Sequence, residues 1–218
     1  MVWLVDWATG QISENLEKLG LTENTLLIVT SDNGPLPGSL EFGKSEGTAK
    51  ITNGHESMGD WRGRKGRVWE GGHRVPFVAR WPKNIPAGST SDYTFCFTDL
   101  LATIADLLDE EFPKSAGEDS FSMLPTLLGK PMEHRPAIIH HSNSSYAMRD
   151  GKWKIVFGQG EGRVQPKEGH GYLFDLETDP DENDPSGESL SREEVDQLRH
   201  QLVSAMAFAR AVPDSKPF

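Results

Sequence analysis

The sequence predicts an α/β fold followed by a smaller antiparallel part, and three observations predict it. A helix-spaced apolar segment near the N-terminus leads into a short apolar run without alternation, the helix-to-buried-strand rhythm of α/β proteins. Further on, the strand-like stretch Val75–Pro82 precedes a second helix-spaced segment, Phe97–Leu108. From about Arg135 the texture changes to short strand-like pieces parted by turn residues.

In chain order, Val5, Ile12, Leu16 and Leu19 recur at helical spacing, with Glu14, Glu17 and Lys18 on the other side and Gly20 placed as a stop. The opening residues Met1–Trp7 lack a basic segment and a cleavage site, so they do not read as a secretory signal. They read as the inside of a helix, and coding sequence upstream is expected. Thr25–Thr30 fits a strand covered on both faces, as in a parallel sheet between helices. It ends in Ser31-Asp32-Asn33-Gly34, and ligands of open α/β sheets gather beyond such strand ends. Residues 34 to about 66 are glycine-rich with little periodicity, a length of loop that usually carries function or is disordered. Pro76 marks a strand start or an edge. Thr98 or Asp99 is placed as N-cap of the helix that carries Leu100, Leu101, Ile104, Leu107 and Leu108. A short turn of helix is expected from Met123 to Leu128. Four strand-like pieces follow, Ala137–His141, Ser145–Arg149, Lys152–Val156 and Tyr172–Leu176, with Asp150-Gly151 as a hairpin signal. The acidic stretch Glu177–Ser191 reads as a solvated loop, and Arg192–Arg210 as a final amphipathic helix.

Composition excludes several classes of function. In 218 residues, 36% hydrophobic and 25% charged, there is enough apolar material for a core. With 22 Lys+Arg against 33 Asp+Glu the formal charge is −11, which argues against nucleic acid as a partner. The apolar runs fall far short of the ~20 residues of a membrane span. The single cysteine, Cys96, excludes an internal disulfide and a cysteine-based zinc site; between Phe95 and Phe97 it reads as a buried, inert thiol.

Two places carry chemistry. Asp32-Asn33 offers two hard oxygen ligands suited to Ca²⁺ or Mg²⁺, although Asp-Asn-Gly is also a common turn and two ligands make only part of such a site. Trp61-Arg62-Gly63-Arg64-Lys65-Gly66-Arg67 sets four cations among glycines, either an anion cradle or a solvated basic loop. His140 and His141 are neighbours on a strand, so at most one of them faces any given site.

Five blocks in order carry a resemblance that covers nearly the whole chain. They are Thr25–Gly34; Gly54-His55 with Arg62–Gly66 and Trp69–Pro76; Phe97–Ile104; Met148–Lys154; and Leu173–Pro180. Together they resemble the C-terminal half of sulfatases of arylsulfatase type. The resemblance implies an alkaline-phosphatase-like α/β core, present in part as residues 1–134, and a C-terminal antiparallel-sheet subdomain with a terminal helix, residues 135–218. It implies metal-dependent hydrolysis of sulfate esters by the parent enzyme. Asp32 and Asn33 match divalent-metal ligands, usually for Ca²⁺ with Mg²⁺ second; Lys65 matches the sulfate-binding lysine; His55 matches a residue of the substrate-facing loop. Glu70 and His73 match a recurrent segment read as architectural. The implied partner is a sulfated small molecule or sulfated glycan, and family members are commonly periplasmic or secreted.

The departures from the family pattern concern the reaction itself. The family nucleophile is a formylglycine made from the cysteine of Cys-x-Pro-Ser-Arg, and Cys96, followed by Phe97-Thr98-Asp99-Leu100, does not match it. The family's first pair of metal-binding aspartates, its other catalytic lysine and its catalytic histidines lie upstream of the Asp-Asn segment and have no counterpart among these 218 residues. No catalytic residue is assigned to this chain. The expectation is therefore an inactive isolated chain with a missing N-terminal half, which exposes an apolar strand edge. The alternative is a non-catalytic sulfatase-like remnant or interaction module.

Overall fold

The computed structural model describes residues 2–36, 57–111, 116–142, 145–157 and 171–185, with residues 193, 196, 197, 200, 201 and 204 of the C-terminal region. The chain divides into two compact units. Met1–Ser31, Pro76–Phe112 and Asp119–His134 form the first; Asp32–Val75, Pro113–Glu118 and Arg135–Phe218 form the second.

The first unit opens with helix α1, Val2–Lys18. It ends where the sequence places its stop. Gly20, at φ +68°, donates to the Glu17 carbonyl while the Leu21 N–H reaches back to Leu16, the double bond of a Schellman cap. A 3₁₀ turn, Thr22–Asn24, leads into β1, Leu27–Thr30. Trp81 Nε1 donates to the Glu23 carbonyl and Lys83 pairs with the Glu23 carboxylate, which pins the turn to the chain beyond β2, Phe77–Arg80. The β1 strand pairs antiparallel with β2, Leu27 opposite Arg80 and Thr30 opposite Phe77. The parallel neighbour expected for this run is thus not its described partner. An unalternating apolar run reports cover on both faces, and says nothing about the direction of the adjacent strand.

After α2, the single turn Glu70–His73 of the second unit, the next helix is α3, Asp99–Leu108. Thr98 stands at its N-cap but makes no capping bond through its side chain. Asp99 is instead fully buried, and its carboxylate accepts the N–H groups of Cys96 and Phe121. Thr103 Oγ1 donates to the Asp99 carbonyl and accepts the Met123 N–H, so the buried side of α3 is small and polar. These bonds seat α4, Leu124–Leu127, beside α3. Cys96 is half-buried rather than buried, its Sγ 2.9 Å from Thr98 Oγ1.

The second unit is built on a four-stranded antiparallel meander: β3 Ile138–Ser142, β4 Ser145–Asp150, β5 Trp153–Phe157 and β6 Tyr172–Asp175. The β4–β5 hairpin closes with Asp150 opposite Trp153. Its two loop residues are Gly151-Lys152, one place later than Asp150-Gly151. Gly151 sits at φ +55° ahead of a residue of negative φ, which matches a type II′ turn. Register then sorts the side chains. Ile138, His140, Ala147, Arg149, Lys154, Val156, Tyr172 and Phe174 share one face; Met148, Ile155 and Leu173 share the other. Both faces are covered. Trp69 packs with Ala147, Val156, Tyr172, Phe174 and Leu176 on the first; Met148, Ile155 and Leu173 meet Ala137, Trp153 and Phe157 on the second. The Trp69 ring stands edge-on to Phe174 at 5.7 Å. The described residues of the terminal segment, from 193 to 204, are helical and exposed.

Candidate functional site

Asp32 and Asn33 follow the end of β1 in the chain and belong to the second unit. Asp32 is exposed and Asn33 half-buried. Asn33 Nδ2 donates to the Gly34 carbonyl at 2.9 Å, which fixes the amide plane and with it the direction of its oxygen. The next residues are tied down by backbone. The Gly34 N–H donates to the Gly72 carbonyl at 2.9 Å, and the Pro35 carbonyl accepts the Lys65 N–H at 3.1 Å. Those two bonds bring the Asp-Asn segment and the lysine turn into one local cluster.

Lys65 occupies a corner of that turn. The Arg67 N–H donates to the Arg64 carbonyl at 3.0 Å, and Gly66, the third residue, has φ +79°, the conformation a type II turn asks of glycine. The Lys65 side chain is exposed. Of the neighbouring cations, Arg62 has a structural assignment: its guanidinium lies 3.8 Å over the Trp69 ring, and Nη1 donates to the Glu182 carbonyl at 2.7 Å. The sequence pattern could not separate this structural use of a half-buried cation from an anion-facing one. His55 lies outside the described residues.

Glycine is required where these segments cross. A Cβ on Gly34 would stand 1.9 Å from the Gly71 oxygen, and one on Gly72 would stand 2.1 Å from the Arg67 oxygen. Gly71 completes the crossing by donating to the Arg62 carbonyl at 2.7 Å. The short helix α2, Glu70–His73, is therefore the hub on which both candidate segments hang.

Glu70 anchors that hub, and it is fully buried. Register sets Arg149 directly opposite Lys154, two like charges that would repel across the strands if left alone. Glu70 answers both, Oε1 at 2.9 Å from Lys154 Nζ and Oε2 at 3.0 Å from Arg149 Nη1. Glu182, also fully buried, adds its Oε1 at 2.8 Å from Lys154 and accepts the Glu70 N–H at 2.6 Å through Oε2. Arg74, more exposed, adds its Nη1 at 3.6 Å from Glu70 Oε2. Burial pushes the Glu70 carboxyl up, but Lys154, His73 and Arg149 overcome it and hold the group at about 2. Burial dominates at Glu182 and raises it despite Lys154.

His73 and His140 stack 3.8 Å apart beside this cluster. His73 Nε2 lies 3.0 Å from the Val68 carbonyl and 3.4 Å from Lys154 Nζ, the first contact suiting a proton on Nε2 and the second a lone pair. Burial, with Lys154 next, lowers His73 to about 4; burial, with His73 next, lowers His140 well below the usual histidine range. Both rings are neutral near pH 7. His141 is exposed and packs on Tyr146, so the adjacent histidines do face opposite ways.

Among the described residues no three His, Cys, Asp or Glu side chains are grouped to hold a metal. Asp32 and Asn33 nevertheless have the right donor chemistry for a hard cation: a carboxylate and an oriented amide oxygen, two of the roughly six to eight oxygens such an ion takes. Sequence reasoning missed Lys154, Arg149 and Glu182. The one signal was a lysine between Trp153 and Ile155 on a strand, which alternation alone reads as solvent-facing.

The sulfatase family profile matches residues 1–110. An N-acetylgalactosamine-6-O-sulfatase of Bacteroides thetaiotaomicron is 35% identical over 186 residues, 82% of this chain and 36% of that protein. Arylsulfatase G of Mus musculus is 30% identical over 225 residues, 93% of this chain and 40% of its own length. A solved Bacteroides thetaiotaomicron structure, described with the metabolism of multiple glycosaminoglycans, superposes with a TM-score of 0.78 at 34% identity. It is matched over 92% of this chain and 42% of its own. The PsFucS1 sulfatase from Pseudoalteromonas sp. gives 0.71 at 25% identity, over 95% and 42%. The chain thus spans about two fifths or less of the length of these relatives.

Proposed function

The chain belongs to the sulfatase family, and we propose that it supplies part of the metal and sulfate site of a sulfuric ester hydrolase whose nucleophile comes from another segment. The observation that supports this most is the pair of backbone bonds, Gly34 to Gly72 and Lys65 to Pro35, that joins the Asp32-Asn33 segment to the Lys65 turn. An exposed carboxylate, an oriented amide and an exposed ammonium on adjoining segments suit a sulfate monoester beside a divalent cation.

In this reading Asp32 and Asn33 hold Ca²⁺, with Mg²⁺ as the second candidate. The ion, when bound, withdraws charge from the sulfuryl oxygens. Lys65 holds a sulfuryl oxygen through its ammonium, and His55, outside the described residues, is the further substrate-binding candidate by family resemblance. The substrate is a sulfated glycan in preference to a sulfated small molecule, a reading supported by the N-acetylgalactosamine-6-O-sulfatase relative. The nucleophile-bearing remainder covers the apolar faces that the first unit leaves open: Val2, Trp3, Leu4, Val5 and Trp7 on α1, and Leu101, Ile104 and Leu108 on α3. Because the groups of a catalytic unit act together, part of the site does not give part of the rate.

The test is twofold. Purified 1–218 should show no aryl sulfate turnover above background, with or without Ca²⁺. Calorimetry of the same chain should show inorganic sulfate binding in the presence of Ca²⁺, lost in Asp32→Ala and in Lys65→Ala. Metal-dependent turnover by the pure chain, or sulfate binding indifferent to both substitutions, would refute the reading.

A further inference from the structure

The Asp32-Asn33 segment and the Lys65 turn carry no regular secondary structure, yet a site needs them held to a fraction of an ångström. What holds them is traceable bond by bond. Gly34 hangs on the Gly72 carbonyl, Lys65 on Pro35, and Gly71 on Arg62. Gly71 and Gly72 belong to α2, Glu70–His73, a four-residue helix too short to be stable by itself. Its position comes from Glu70, whose two carboxylate oxygens grip Lys154 on β5 and Arg149 on β4. Glu182 closes the clamp from the far side. Its backbone is left-handed at φ +55°, a conformation a non-glycine residue keeps only where its surroundings enforce it. Three contacts enforce it here: the carboxylate on Lys154 and on the Glu70 N–H, and the carbonyl on Arg62.

We propose that Glu70, Lys154 and Glu182 are positioning residues for the candidate metal and sulfate site, a buried clamp that fastens α2 to the sheet and thereby sets the Asp32-Asn33 segment against the Lys65 turn. The assignment of what is positioned rests on the sulfatase-site reading above; the mechanical linkage does not. The clamp is also economical in charge. Its two carboxylates meet the two cations that strand register forces together, with Arg74 at its exposed margin 3.6 Å from Glu70.

Amide hydrogen exchange on the full 218-residue chain tests the linkage without any ligand. In Glu70→Gln, the Gly34 and Lys65 amides should exchange at least tenfold faster, while amides within Ser145–Asp150 and Trp153–Phe157 change less than twofold. Lys154→Met should do the same, and Lys154→Arg, which keeps charge and donor, should restore protection. Should Glu70→Gln not fold, Glu182→Gln serves as the milder break. Unchanged exchange at Gly34 and Lys65 would overturn the proposal. So would acceleration of loop and sheet amides together, since that reports general loss of stability. Sulfate calorimetry then separates the two readings: a wild-type chain that binds no sulfate speaks against the sulfatase site, and the exchange result still decides the clamp.

Discussion

The two compact units bury their side chains in opposite styles. In the second, Trp69, Val156, Tyr172, Phe174 and their neighbours are closed from solvent, and charged groups lie fully buried among them. In the first, Ala102 and Met123 are the buried hydrophobic residues among those described, while Trp3 remains 73% exposed and Ile104 50%. Helix α1 has no buried residue at all, although its apolar spacing is good. The contrast teaches that periodicity states which face wants cover and not what covers it. A Leu or Trp fully buried gains about 1.5–3 kcal/mol, so the second unit holds its own stabilisation and the first has most of its apolar gain still to collect.

The largest expected effect sharpens this contrast directly. Phe174→Ala should cost about 3–5 kcal/mol, as for a large aromatic removed from a closed core. Ile104→Ala, in the open unit, should cost no more than about 0.5 kcal/mol. Urea denaturation of both variants checks the pair, and equal costs would break the comparison.

Next comes acid. His73 falls from its ordinary 6.5 to about 4 in the folded chain, so between those values the unfolded chain binds a proton that the folded one refuses. Stability should therefore drop as pH falls through that window, by about 1.4 kcal/mol per unit. His140 works in the same direction, and Glu182, raised by burial, works against it at pH values just above its ordinary 4.5. Glu70 contributes a further loss only below its ordinary 4.5, down to about 2. Urea midpoints at pH 7 and 5 test the sign, and His73→Phe should flatten the difference. A wild-type midpoint that rises at pH 5 would contradict the assignment.

Two alanine substitutions make smaller effects of opposite sign. Gly34→Ala meets backbone at 1.9 Å and should cost about 1–3 kcal/mol, with sulfate binding lost as the Asp-Asn segment shifts. Gly10→Ala lies inside α1 with nothing within 4 Å, and should stabilise by roughly 0.5–1 kcal/mol. Thermal melts distinguish them, and a neutral Gly34→Ala would show that the crossing is looser than drawn.

Much of the local structure was legible in the residues. Gly20 stops α1, Pro76 precedes β2, and Asp150-Gly151 marks the hairpin to within one residue, because each acts through its own backbone conformation. The site was legible in part. Asp32, Asn33 and Lys65 stand out by residue type and by family resemblance, whereas Lys154 looks like a solvated strand position and Glu182 like one more acid in an acidic loop. Their meaning comes from partners 84 and 112 residues from them in the chain. Asp99 shows the same limit on a smaller scale. It is placed as a cap, and its carboxylate serves Cys96 and Phe121 instead.

By itself, the sequence marked most local elements and the residue types offered to a cation and an anion, which follow from short-range chemistry read along the chain, and its ordered motifs carried the family resemblance. Tertiary structure alone decided that Arg149 and Lys154 stand opposite one another, that Glu70 and Glu182 are buried to meet them, and that glycine backbones hang the candidate site from that clamp. The physical reason is that burial and charge pairing are properties of neighbours in space, and strand register and chain crossing choose those neighbours from distant parts of the sequence.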